Sequence, residues 1–93
     1  MDEDPLQYSR HARDRMREDG ISEDEVEAIV WYPVRRAVSP LAVEHYGYAD
    51  DGREFKIVTN RSETIVITVV DEEARRKLRR TKEMRRKQRR RWR

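Results

Sequence analysis

The sequence has no cysteine, so a disulfide framework and a thiolate metal site are both excluded. Its two histidines, His11 and His45, argue against a structural zinc site. No apolar run reaches the roughly 18 residues that a membrane span needs. No signal peptide is visible, so the expectation is a cytoplasmic protein with no membrane partner. There is no Gly-rich phosphate loop, nucleophile elbow or zinc motif, and neither a metal nor a cofactor is expected. Apolar residues are also scarce. Of 93 residues, 35% are hydrophobic and 44% are charged, against about a quarter charged in an average soluble domain. The chain is long enough for one domain with a small core.

What is present is charge, unevenly placed. Residues 1–70 hold 9 Lys/Arg against 15 Asp/Glu, a net of −6. Residues 71–93 hold 13 Lys/Arg against 4 Asp/Glu, a net of +9. An acidic body therefore carries a strongly basic tail, which suggests a polyanionic partner, most simply nucleic acid.

Periodicity predicts an α+β layout. A helix is expected over 5–18, capped by Ser9 or Asp4, with Tyr8, Ala12 and Met16 as its apolar stripe and Gly20 as its end. Ser22 and Glu25 form a capping box for a second helix, which buries Val26, Ile29 and Val30 and stops at Pro33. The period then becomes two. Residues 34–38 read as an edge strand and residues 43–48 as a second strand, with His45 and Tyr46 on opposite faces. Asp51-Gly52 signals a hairpin into a strand over 53–60. Residues 64–70 are apolar on both faces and read as a central strand covered from both sides. The fold expected is two N-terminal helices on a three- to four-stranded antiparallel sheet, then a basic C-terminal helix. Residues 5–74 form the domain and residues 75–93 the polyanion-binding helix or tail. Past Met84 only Trp92 could be buried, so this end is expected to be disordered alone and ordered on a polyanion.

His11 and Arg15 lie at i and i+4 on one helical face, with Tyr8 on the same side. A histidine can move a proton near neutral pH, and an arginine beside it can hold a phosphate. The pair suits metal-free RNA cleavage; the alternative is a half-exposed histidine on a charged helix. His45 could be a second acid/base, or could share an RNA-facing surface with Tyr46 and Tyr48, or could be a strand residue with cross-strand partners. Arg53 and Arg61 could bind phosphate or be solvated strand ends. Arg79, Arg80, Arg85, Arg86, Lys87, Arg89, Arg90, Arg91 and Arg93 could neutralise several phosphates. The alternative there is a solvated charge run, or pairing with an acidic protein.

Ser9-Arg10-His11-Ala12, Arg15-Met16, Gly20-Ile21-Ser22 and Val26 resemble the pattern S-x-H-A-x-x-R-M, G-I-S, V. That pattern opens domain-of-unknown-function family 4258, whose closing I-V-T-V strand is similar to Ile65–Val69. The resemblance covers roughly residues 6–70. It implies a compact domain similar to RelE and BrnT toxins, within the barnase, EndoU, colicin and RelE group of RNases. Such proteins are metal-independent endoribonucleases, often in toxin–antitoxin pairs, and RelE-like ones act on messenger RNA in the ribosome. By position His11, Arg15 and Thr68 would be the catalytic residues, lining a cleft between the first helix and the sheet. Val70 and Asp19 depart from the family's common residues, and the basic tail lies beyond its domain. The expected partners are RNA, with the ribosome as one setting, and an antitoxin protein. The competing expectations are a non-catalytic RNA- or ribosome-binding protein anchored by its tail, and a protein-interaction module whose tail meets an acidic partner.

Overall fold

A computed structural model describes residues 5–91, with side chains through Arg85. The order is β1 (Gln7–Tyr8), α1 (Arg10–Asp19), α2 (Glu23–Trp31), β2 (Arg35–Val38), β3 (Val43–Tyr48), β4 (Glu54–Thr59), β5 (Ile65–Asp71) and α3 (Glu72–Arg91). The strands form one mixed sheet in the order β1-β5-β4-β3-β2. The α+β class and the helices-first order are as expected, but there are five strands. The additional one is β1, which pairs parallel to β5.

Strand β1 lies inside the stretch expected to be helical. Ser9 is extended (φ −67°, ψ 160°) and is the N-cap of α1. Its side-chain oxygen accepts from the Ala12 N–H, so helix geometry starts only at Arg10. The residues before it are left extended, and they find partners: the Gln7 N–H donates to the Thr64 carbonyl and the Ser9 N–H to the Val66 carbonyl. Tyr8 is therefore a strand residue and does not share a helical face with His11. Asp4, the other candidate cap, lies outside the described residues, as does Trp92.

Helix α1 ends at Gly20, whose φ of +68° closes the turn without a Cβ penalty. The capping box of α2 is complete, with Ser22 Oγ receiving the Glu25 N–H and the Glu25 carboxylate receiving the Ser22 N–H. The second carboxylate oxygen of Glu25 also accepts the Asp50 N–H at 2.8 Å, tying α2 to the β3–β4 turn.

Both helices cover one face of the sheet. Ala12, Met16, Ile21, Val26, Ile29 and Val30 pack there against Phe55, Ile57, Val66 and Val69. Gly47 lets α2 approach closely, since a Cβ at that position would lie 3.0 Å from Ile29 Cγ1. The other face carries Glu44, Tyr46, Tyr48, Glu54, Lys56, Val58 and Thr68.

The last strand differs from expectation. Strand β4 is central, and β5 lies between it and the two-residue β1. Ile65 and Ile67 remain exposed because α1 and α2 cover only the other face. The register shifts between Val58 and Thr59, which pair with Thr68 and Val66, leaving Ile67 as the extra residue of a bulge. That is why the buried residues Val66 and Val69 are three apart. The Ile67 carbonyl is taken up by the Ser9 hydroxyl, which donates to it at 2.7 Å.

Helix α3 is the expected basic C-terminal helix and runs from Glu72 to Arg91. Its Arg, Lys, Glu and Gln residues are good helix formers, and Asp71 caps its start through the Ala74 N–H. Its first turns are pinned to the uncovered face by an Arg76–Glu54 ion pair and by Lys56, 3.9 Å from Glu72.

Candidate nucleic-acid interface

Most residues of the opening motif do structural work. Ser9 and Ser22 are caps, Gly20 takes the left-handed turn, and Ala12, Met16, Ile21 and Val26 are core. His11 and Arg15 are the exceptions. His11 is exposed on the first turn of α1 and makes no hydrogen bond or ion pair among the described residues. Arg15, one turn on, is half-buried and lies 3.3 Å from Glu18 and 3.8 Å from Asp19. Its charge is therefore held by two carboxylates. Nearby, the Tyr8 ring packs on the core beneath Arg13, and its buried hydroxyl lacks a partner. Burial first, and then the carboxylates of Glu27 and Glu23, push that hydroxyl up to about 12.

His45 does not share a surface with the tyrosines. It is fully buried on the helix-covered face, and Tyr46 points the other way. Its Nε2 is 3.1 Å from Thr59 Oγ1 and 3.5 Å from Glu63 Oε1, while Nδ1 is buried without a partner. Glu63 sits in the β4–β5 turn at φ +56° and accepts from Arg36 Nε at 2.8 Å. That bond holds the Glu63 carboxyl below the usual carboxylate range. Burial lowers the His45 pKa, against a smaller opposing pull from Glu63. The cluster holds together β2, β3, β4 and the following turn, and none of it is accessible through His45.

Arg53 and Arg61 have local partners. The Arg53 guanidinium donates to Asp51 and to the carbonyls of Asp19 and Gly20. It closes the C-terminal end of α1, where a cation meets the negative pole of the helix. Arg61 is exposed and donates to the Pro40 carbonyl at 3.3 Å.

The uncovered face gathers a different set. Thr68 pairs with Val58 and so lies on this face, opposite the side where α1 packs. It does not line a cleft with His11 and Arg15. In the centre is Lys56, cross-strand from Tyr46, with 12% of its side chain exposed. It is 3.4 Å from Glu44, and Glu44 accepts from the Tyr46 hydroxyl. The Arg35 guanidinium lies over the Tyr46 ring, 4.1 Å from its centroid. Lys56 was not among the expected site residues. Its signal lay in the hairpin register, which places Lys56 beside Tyr46 once the Asp51-Gly52 turn is counted.

Helix α3 rises from this face. Lys77, Arg79, Arg80, Lys82 and Arg85 are exposed and have no ion pair among the described residues. At about 100° per residue they fall on several sides of the axis. Arg75 and Arg76 are exposed too, but are paired with Glu72 and Glu54. The expected phosphate contacts at Arg86, Lys87, Arg89, Arg90 and Arg91 fall on side chains outside those described, and Arg93 lies outside the described residues altogether. Among the described residues, no group of three acidic or histidine side chains could hold a metal ion. No helix among them is long and apolar enough to cross a membrane.

No curated protein and no solved structure matches the chain. One family model matches residues 8–71, from Tyr8 through the end of β5, and the chain thus belongs to the family described as Domain of unknown function (DUF4258).

Proposed function

We propose that this protein is a metal-independent endoribonuclease of the RelE-like toxin type, acting on messenger RNA recruited by α3. The observation that carries the proposal is the state of His11. It is a motif residue that the fold leaves exposed and without a partner among the described residues, one helical turn from Arg15. In this reaction His11 takes the proton of a ribose 2′-hydroxyl. The 2′-oxygen attacks the adjacent phosphorus, and the 5′-oxygen leaves with a proton taken from water, giving a 2′,3′-cyclic phosphate and a 5′-hydroxyl. Arg15 turns from Glu18 and Asp19 to the phosphate and offsets the charge of the crowded intermediate. Helix α3 supplies sequence-independent attraction through phosphate contacts. The test is cleavage of free and ribosome-bound message by the wild-type chain and by His11→Gln. The variant should lose about 10²-fold or more in rate, with RNA affinity unchanged. A wild-type chain that leaves both substrates intact and is harmless on expression refutes the activity.

A second reading, a non-catalytic RNA- or ribosome-binding protein, is favoured by a separate observation. Arg15 is already held by two carboxylates, and Thr68 lies on the opposite side of the sheet from α1. Here substitution of Arg79, Arg80 and Arg85 removes binding, and His11→Gln changes nothing.

A further inference from the structure

Among the described residues, half of the large apolar side chains on the exposed surface lie in one short stretch. These are Trp31, Tyr32, Val34, Val38 and Leu41, with Tyr32 and Leu41 more than four-fifths exposed. They surround β2, which is the outer strand of the sheet and has no neighbour on its far side among the described residues. A strand edge flanked by exposed apolar side chains is a template for another strand.

The charge there indicates the occupant. Residues 31–42 carry two cations, Arg35 and Arg36, and no carboxylate; Glu63 holds Arg36, and Arg35 has no ion pair among the described residues. The rest of residues 1–70 carries seven cations against fifteen carboxylates. Arg61 adds a third cation by reaching the Pro40 carbonyl. A second copy of the chain would set this cationic stretch against itself. An acidic strand would not meet that repulsion. Strand parity completes the match. Arg35 and Ala37 face the uncovered side, while Val38 and Arg36, the latter already neutralised by Glu63, face the side where α2 ends in Trp31 and Tyr32.

We propose that β2 accepts a sixth strand from another protein, an extended segment alternating acidic and apolar side chains. Its amides pair with the β2 backbone. Its acids lie beside Arg35, and its apolar side chains lie on the side of Val38 and the end of α2. The proposal does not depend on RNA cleavage.

The test uses the full chain and two short synthetic peptides, one alternating Val with Glu and the other Val with Lys. Amide exchange is followed residue by residue by NMR. The Glu peptide should slow exchange at Arg35–Val38 by roughly tenfold or more. Arg35→Glu and Leu41→Ser, both at exposed positions, should weaken that protection; Leu41→Ser leaves thermal unfolding unchanged, and Arg35→Glu lowers it only by the lost contact with Tyr46. The Lys peptide should not protect. The proposal is overturned if the Glu peptide perturbs only α3, or if the Lys peptide protects equally. Dilution-dependent protection of β2 in the protein alone, with a dimer in sedimentation, overturns it in favour of a second copy.

Discussion

Replacing Ser9 with alanine should destabilise the protein more than replacing an ordinary cap, because one hydroxyl serves two elements. Ser9 Oγ accepts the Ala12 N–H at 3.0 Å and donates to the Ile67 carbonyl at 2.7 Å. The first bond is an N-cap, and its loss costs about 1 kcal/mol. The second joins the start of α1 to the bulge in β5, and its loss adds about 0.5–1.5 kcal/mol. The lower part of that range applies because water can reach the site. The sum is about 1.5 kcal/mol, or a fall in Tm of about 6–12 °C for a domain of this size. Ser22→Ala is the internal control. It removes a cap of the same kind, but the Glu25 carboxylate still holds the Ser22 and Asp50 N–H groups, so about 1 kcal/mol is expected. Ser9→Asn should recover the cap and not the bulge bond. Urea denaturation of the three variants against wild type measures these differences. If Ser9→Ala costs no more than Ser22→Ala, the link between α1 and the bulge contributes nothing.

Other consequences are as direct. Gly47→Ala places a Cβ 3.0–3.1 Å from Ile29 Cγ1 and Cγ2, so it should cost about 1–3 kcal/mol, and Ile29→Ala, which removes both carbons, should cost less in the Gly47→Ala background than in the wild type by calorimetry. The lowered His45 pKa means the native state resists a proton that the unfolded chain takes up below about 6.5. Stability should therefore be level above that pH and fall as pH drops below it, by at most about 1.4 kcal/mol per pH unit. His45→Gln should flatten this between pH 5 and 6.5, measured by urea titration; an unchanged slope refutes the assignment. RNA affinity should fall steeply with salt. Each of Arg79→Gln, Arg80→Gln and Arg85→Gln should reduce the log–log slope by about 0.7–0.9, and a slope near zero in the wild type removes the phosphate contacts.

What could be read from residue order is what depends on neighbours. The Ser22–Glu25 box, the Gly20 stop, the His45/Tyr46 alternation and the Asp51-Gly52 hairpin each involve groups a few residues apart. Features set by distant partners were not legible. Strand β1 exists because Thr64 and Val66 offer carbonyls more than fifty residues away. The bulge at Ile67 moves Val66 and Val69 to one face, which an alternating pattern cannot anticipate. The same holds at the candidate site. His11 and Arg15 were legible as a pair at i and i+4, but not the carboxylates that hold Arg15. Arg53 looked like a phosphate ligand until its donors were found on the α1 carbonyls. The His45–Glu63–Arg36 cluster needed a turn residue at positive φ to form.

The placement of α3 sharpens the choice between cleaving RNA and only holding it. The helix has 20 residues, a length of about 30 Å. That is several times the Debye length of about 8 Å at physiological ionic strength. Cations toward its far end therefore lie beyond the reach of the body's −6 charge, where a polyanion would meet them first. Its near end is pinned to Glu54 and Lys56 on the uncovered sheet face. On the proposed reading, RNA held by α3 would meet Tyr46, Lys56 and Thr68 first, while His11 and Arg15 belong to α1 on the opposite side. For His11 to cleave, the strand must pass round the β1–β5 edge of the sheet from one face to the other. Cleavage therefore requires a longer RNA footprint than binding does. An oligonucleotide just long enough to saturate α3 should bind and survive, while a longer one should bind with similar affinity and be cut. Equal survival of both, with binding intact, leaves the protein a binder; equal cleavage of both places the reaction on the α3 side, at Lys56 and Tyr46.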